Sequence, residues 1–295
     1  MNEFLRRVFL YVRPAFLSGD GRLRNGWKIL GFLAALASLG KVTSLVAHRL
    51  GAPKGDMFGE WVSVVLMLLV SWVFMRLERE PFQSLGWKLN GRWGADLLLG
   101  TLLGVGLIGL AALGAVGSGA VSLVRSGQSA APMLSGAVFF LAVALFEEGL
   151  FRGYLFQRMT RGAGFVIAQV VMALFFGMVH WGNPGMSGAT KLWATLDISL
   201  AAVLLGFCWK RTGSLALPIG VHLGWNWAQG PLLGFGVSGT DAGGFFKPVF
   251  AAGKPEWLSG GAFGLEASLT DVIICALAIL VIWKWKGRSV EAGNA

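Results

Sequence analysis

Charge is what this sequence has least of. Asp, Glu, Lys and Arg make up only 14% of its 295 residues, whereas soluble domains carry about 25%. The deficit is concentrated in particular stretches. No charged residue occurs from Leu97 to Val124, or from Ser126 to Phe146. A spanning helix needs roughly 20 consecutive apolar residues, so either run is long enough to cross a bilayer and neither suits a soluble core helix. Cysteine is scarcer still. Cys208 and Cys275 both fall in apolar segments and form no paired motif, which argues against a disulfide framework or a thiolate metal site and leaves two small buried hydrophobes. A His-Glu-x-x-His zinc helix, a Gly-x-Ser-x-Gly elbow and a phosphate loop are all missing. So is a cleavable signal: the apolar run after Arg6 and Arg7 is broken by Arg13 and Pro14, and the first span is expected to act as an uncleaved anchor.

What is present fits a membrane interior. Apolar residues are 55% of the chain, with 44 Gly and 13 Trp. Glycine lets membrane helices approach closely, and tryptophan gathers at the interfaces. Hydropathy predicts eight spans, near 27–47, 58–76, 97–117, 134–158, 163–181, 191–209, 214–236 and 269–285. The fold class expected is therefore all-α, a polytopic membrane helix bundle. Four sections follow: a basic N-terminal segment (1–26), N-terminal spans (27–133), a core (134–236), and an outer loop with the last span and a basic tail (237–295).

The net charge of +10 is dispersed over short inter-helix segments, which favours membrane orientation over nucleic-acid binding. With the N-terminus inside, 17 Lys and Arg lie in inner segments and 6 in outer ones, with Lys41 and Arg152 inside spans. The positive-inside rule then puts both termini in the cytoplasm. Segments 118–133 and 237–268 become outer loops.

Ionisable groups within a bilayer are costly, so each is a candidate for function. The fourth span reads Leu145-Phe-Glu-Glu-Gly-Leu-Phe-Arg-Gly-Tyr154. Glu148 and Arg152 are four residues apart and can form an ion pair on one helix face. Glu147 points about 100° away and lacks that partner. The division of labour this suggests is a structural pair, Glu148–Arg152, beside a reactive Glu147, although pairing alone can also justify buried charge. His180 ends the fifth span and would stand at a depth similar to Glu147 across an antiparallel turn. In the seventh span His222 and Asn226 share a face. Both can donate hydrogen bonds, to a substrate oxyanion or, as a lone pair more often, as interhelical glue. Asp197 in the sixth span reads as a helix–helix hydrogen bond, and His48 as a solvated end residue. On inner-turn counting, His222 lies nearer the cytoplasm than Glu147 and His180, so the constellation closes only if the fourth and fifth helices project inward by a turn or two.

Together these segments resemble the CAAX protease and bacteriocin-processing family, which includes the type II CAAX prenyl endopeptidases and Abi-type proteins. Glu147, Glu148 and Arg152 match its Glu-Glu-x-x-x-Arg motif, Phe176 and His180 its Phe-x-x-x-His motif, and His222 and Asn226 its His-x-x-x-Asn motif. The resemblance covers roughly residues 137–229. It implies an integral, multi-pass protein of a bacterial inner membrane that hydrolyses a peptide bond in a membrane-associated protein or peptide. Water activated at Glu147 with help from His180 would attack, while His222 and Asn226 stabilise the oxyanion. Glu147, His180 and His222 are also a ligand set that zinc accepts, completed by water. The metal-free scheme is preferred because it uses every motif residue once. A proton-coupled transporter and a non-catalytic scaffold or immunity protein stand as alternative readings.

Overall fold

The computed structural model describes residues 15–19, 21–49, 57–241 and 243–287. Arg6, Arg7, Arg13, Lys54 and Arg288, which enter the charge asymmetry, lie outside the described residues. Helices α1 (Asn25–Arg49), α2 (Met57–Leu77) and α3 (Gly91–Gly117) are followed by strand β1 (Val121–Arg125). Helix α4 (Ala131–Glu148) continues through a π-helical turn (Gly149–Tyr154) into α5 (Leu155–Ala163). Then come α6 (Phe165–Val179), α7 (Gly188–Thr212), α8 (Ala216–Trp227), strand β2 (Phe246–Phe250) and α9 (Leu269–Lys284).

The chain is an all-α polytopic bundle, and six of its helical stretches are long and apolar enough to cross a membrane. Their outward faces carry exposed Leu and Val, among them Leu102, Leu113, Val166 and Leu192, as lipid contact requires. The seventh and eighth expected spans form as shorter helices. Helix α8 stops after 12 residues and gives way to a second π-helical turn, Ala228–Leu232, which contains Pro231. Proline has no N–H to continue the ladder. Helix α9 has 16 residues, capped by the Ser268 hydroxyl, which accepts from the Asp271 N–H at 3.2 Å.

The two ends of the bundle differ. At one end, segment 78–90 forms a floor under α5 and α8. The Gln157 amide donates to the Leu85 carbonyl at 3.0 Å, and the Leu215 N–H to the Gly86 carbonyl at 3.2 Å. Glu78 and Glu80 in this segment collect cations from other helices: Lys28 and Arg158 reach Glu78, and Arg158 and Arg161 reach Glu80. Desolvation opposes ionisation of Glu80, but hydrogen bonds from Arg161 and Arg158 outweigh it and hold the carboxyl down at about 2. This pairing is therefore intact at neutral pH and is lost only as pH falls from 4.5 towards 2. At the other end, β1 and β2 pair antiparallel, Val121 with Phe250 through Arg125 with Phe246. The segments read as two separate outer loops are thus joined in a small two-stranded cap.

Glycine decides how α3 meets α8. Gly100 and Gly104 face Gly220 and Gly224, and a Cβ added at any of the four would run into the backbone of the other helix. Small residues four apart let membrane helices pack backbone to backbone. On α8, His222 and Asn226 lie two residues beyond these glycines, about 200° around the helix. The glycine face is buried against α3 and the polar face turns inward.

Gly104→Leu and Gly224→Leu are expected to separate α3 from α8 and to lower the yield of monodisperse protein in detergent. Gly106→Leu, whose position is open, should leave the yield unchanged. Equal yields for all three, measured by fluorescence-detected size exclusion, would refute this packing.

Candidate functional site

The π-helical turn after Glu148 is the local feature on which the site is built. Such turns widen a helix by one residue and recur at functional sites. Here Gly149 accepts the Met67 side chain of α2 where a Cβ would stand, and Gly153 leaves helical geometry at φ −77° and ψ −119°. Consequently Glu147 and Glu148 sit at the end of α4 while Arg152 folds back beneath them. A second π-helical turn follows Asn226 on α8.

Glu148 is fully buried, and one of its oxygens serves two partners. Glu148 Oε1 accepts from Arg152 Nη1 at 2.9 Å and from His222 Nδ1 at 2.9 Å. Arg152 Nη2 donates to the Ala202 carbonyl of α7 at 3.0 Å, and its guanidinium lies over the Phe176 ring at 5.0 Å. Four helical segments therefore meet on one ion pair. Because a carboxylate can only accept, His222 carries its proton on Nδ1. Nε2 is turned towards Glu147, 3.8 Å from its Oε2. The expected Glu148–Arg152 pair is present and includes His222 as well. Glu147 stands outside it, with His222 as its one ionic neighbour among the described residues.

Phe176 holds the two histidines in place. Its ring lies 4.8 Å from that of His180 and 6.5 Å from that of His222. His180 Nδ1 approaches the Phe176 carbonyl at 2.6 Å. A carbonyl only accepts, so this bond fixes the proton on Nδ1 and leaves Nε2 of a neutral ring as an acceptor. Glu147, His180, His222 and Asn226 line a single cavity of about 700 Å³.

The depth mismatch is resolved by the floor. Gln157 and Leu215 both bond to segment 85–86 and so share one level. Above it, the 2.9 Å contact of His222 Nδ1 with Glu148 Oε1 puts His222 and the end of α4 at one depth. Helix α5 projects beyond that level, with Arg158 and Arg161 neutralised by Glu78 and Glu80.

Several groups around the cavity carry no motif signature. Asp197 of α7 meets Asp271 of α9, so the helix–helix contact expected of Asp197 is to another acid. Asp271 lay hidden as the first-turn acid of an apolar helix, where capping is the ordinary role. Glu266 Oε2 accepts from the N–H and hydroxyl of Ser238 at 2.7 and 2.9 Å, holding Ser238 at φ 48°, a conformation that non-glycine residues seldom adopt. Desolvation pushes the Glu266 carboxyl above its ordinary range, against the pull of those two donors. Asn183 Nδ2 donates to the Ser238 carbonyl at 3.0 Å, so the 237–241 segment is tied to the turn that follows His180. His48 ends α1, away from these groups.

Residues 129–228 match a family model described as Type II CAAX prenyl endopeptidase Rce1-like. The matched stretch contains all three motifs. Over this stretch the chain is similar to the CAAX protease and bacteriocin-processing family. No curated protein and no solved structure gives a significant match to the chain. No group of three or more His, Cys, Asp or Glu stands at metal-ligating spacing among the described residues. Glu147, His180 and His222 do not converge as a three-ligand set in this conformation, and no chemical step is routed through a metal.

Removing either member of the buried pair strands the other. Glu148→Ala and Arg152→Ala are each expected to cost about 3–5 kcal/mol, read as a fall in thermal unfolding temperature in detergent, whereas Glu147→Ala should change it little. Equal effects at positions 147 and 148 would contradict the division between them.

Proposed function

We propose that the protein is an intramembrane endopeptidase that hydrolyses a peptide bond with water activated by Glu147. The observation that carries this reading is the shared cavity, in which a carboxylate free of the buried ion pair faces two histidines of defined protonation and an asparagine. A water between Glu147 and the acceptor Nε2 of His180 would give up a proton to Glu147 as its oxygen attacks the carbonyl carbon. The tetrahedral oxyanion would accept hydrogen bonds from Asn226 Nδ2 and from Nε2–H of a doubly protonated His222, with Glu148 as counter-charge. Glu147 would then pass its proton to the leaving amine as the C–N bond breaks. Glu148 is the positioning residue: it fixes the His222 ring and does not touch the substrate.

The substrate class is a membrane-associated protein or peptide. The floor carries the chain's denser Lys and Arg, so we assign it to the cytoplasmic side, with both termini there and the β1–β2 cap outside. The cavity wall includes Ser238, Thr240 and Asp241 of the cap-side segment, so on this assignment substrates enter from the extracytoplasmic face.

Quantitative proteomics of cleavage products should find them lost with Glu147→Gln, whose rate is expected to fall by about 10²–10⁴. Asn226→Ala should cost about 10²–10³, as for loss of one oxyanion donor, with folding retained in both. Full activity in Glu147→Gln removes the assignment. For topology, Lys88→Cys in the floor is expected to resist a membrane-impermeant thiol reagent in intact cells while Lys254→Cys reacts. The reverse pattern inverts the orientation.

A further inference from the structure

Apart from the histidines, the ionisable groups lining the cavity are all acidic. Asp197, Asp241 and Glu266 join Glu147 in its wall, and no Lys or Arg lines it among the described residues. The nearest buried cation, Arg152, is consumed by Glu148 and Ala202. Asp197 carries the point. It is fully buried, it lines the cavity, and neither of its carboxyl oxygens accepts a hydrogen bond from any protein N–H or O–H. Its neighbour Asp271 is likewise fully buried, with neither carboxyl oxygen accepting a hydrogen bond. Buried carboxyl oxygens without a donor are costly, and the cost is relieved by a donor brought from outside. Glu266 and Asp241 stand towards the cap side of the same cavity. Each spends an oxygen on local backbone, Glu266 on Ser238 and Asp241 on the Gly243 N–H at 2.9 Å.

From this geometry we infer that Asp197, Glu266 and Asp241 form an acidic subsite that selects a substrate with a basic side chain or free amine near the scissile bond. The remaining wall is apolar, with Phe139, Phe140, Leu204 and Trp225. The ligand chemistry is therefore an apolar peptide bearing one cation. An ammonium or guanidinium entering beside Asp197 supplies the missing donors. A substrate with a carboxylate at the same position meets like charges in a low-dielectric site and is rejected.

This inference rests on the protease reading for its meaning, but its test does not need turnover. Three dansylated apolar decapeptides, identical except for a central Lys, norleucine or Glu, are titrated against the Glu147→Gln protein in zwitterionic nanodiscs, with empty discs subtracted. The Lys peptide is expected to bind about tenfold or more tighter than the norleucine peptide, as one charge-assisted hydrogen bond implies, and the Glu peptide weakest. Adding Asp241→Asn and Glu266→Gln should narrow the Lys preference, and adding Asp197→Asn should narrow it further. If the Asp197 variant does not fold, the other two variants decide. Equal binding of the three peptides, or a Lys preference unchanged by the added substitutions, overturns the subsite. Retained hydrolysis by Glu147→Gln would instead sink the protease reading and leave the binding result standing.

Discussion

One oxygen of Glu148 organises the core of this molecule. A carboxylate buried in a bundle is unfavourable unless its charge is met. Here Arg152 and His222 meet it at Oε1, from two different helices. That demand ties the end of α4 to the middle of α8, and through Arg152 to α7 and Phe176. Arg152 sits in the π-helical turn that begins directly after Glu148, and the close packing of α3 on α8 through their glycines fixes the helix that carries His222.

The same constraint separates two adjacent carboxylates chemically. Glu148 has no exposure and is committed to an ion pair, while Glu147, rotated one position around the helix, borders the cavity with its nearest cationic partner at 3.8 Å. A group meant to take up and release a proton needs that looser setting. The histidines are differentiated by their Nδ1 partners. A backbone carbonyl leaves His180 with an acceptor nitrogen towards the cavity. A carboxylate holds the His222 proton on Nδ1 and turns its Nε2 towards Glu147. One fold thus provides a base side and an acid side from residues of the same types.

Much of this was legible in the sequence, and what was hidden has identifiable causes. The six long spans follow from extended, largely apolar runs, and the spacing of Glu148 and Arg152 already gave a shared face. The third member of that network was not visible, because the pairing of His222 with Glu148 spans 74 residues and depends on a non-helical turn that no propensity signals. The floor was missed because Glu78 and Glu80 look like ordinary loop acids until Arg158 and Arg161 fold onto them. Pairing of β1 with β2 joins residues more than a hundred positions apart, and neither segment alternates strictly enough to announce a strand. Asp271 was masked by a plausible capping role.

The chain contains three histidines, so the protonation pattern that the account depends on is directly observable. Nitrogen NMR of histidine-labelled protein, assigned with His48→Gln and His180→Gln, reads the state of His222. The account predicts a strongly hydrogen-bonded Nδ1–H on His222 that survives Glu147→Gln and is lost in Glu148→Gln. An Nδ1 without a proton, or one indifferent to Glu148, would contradict it.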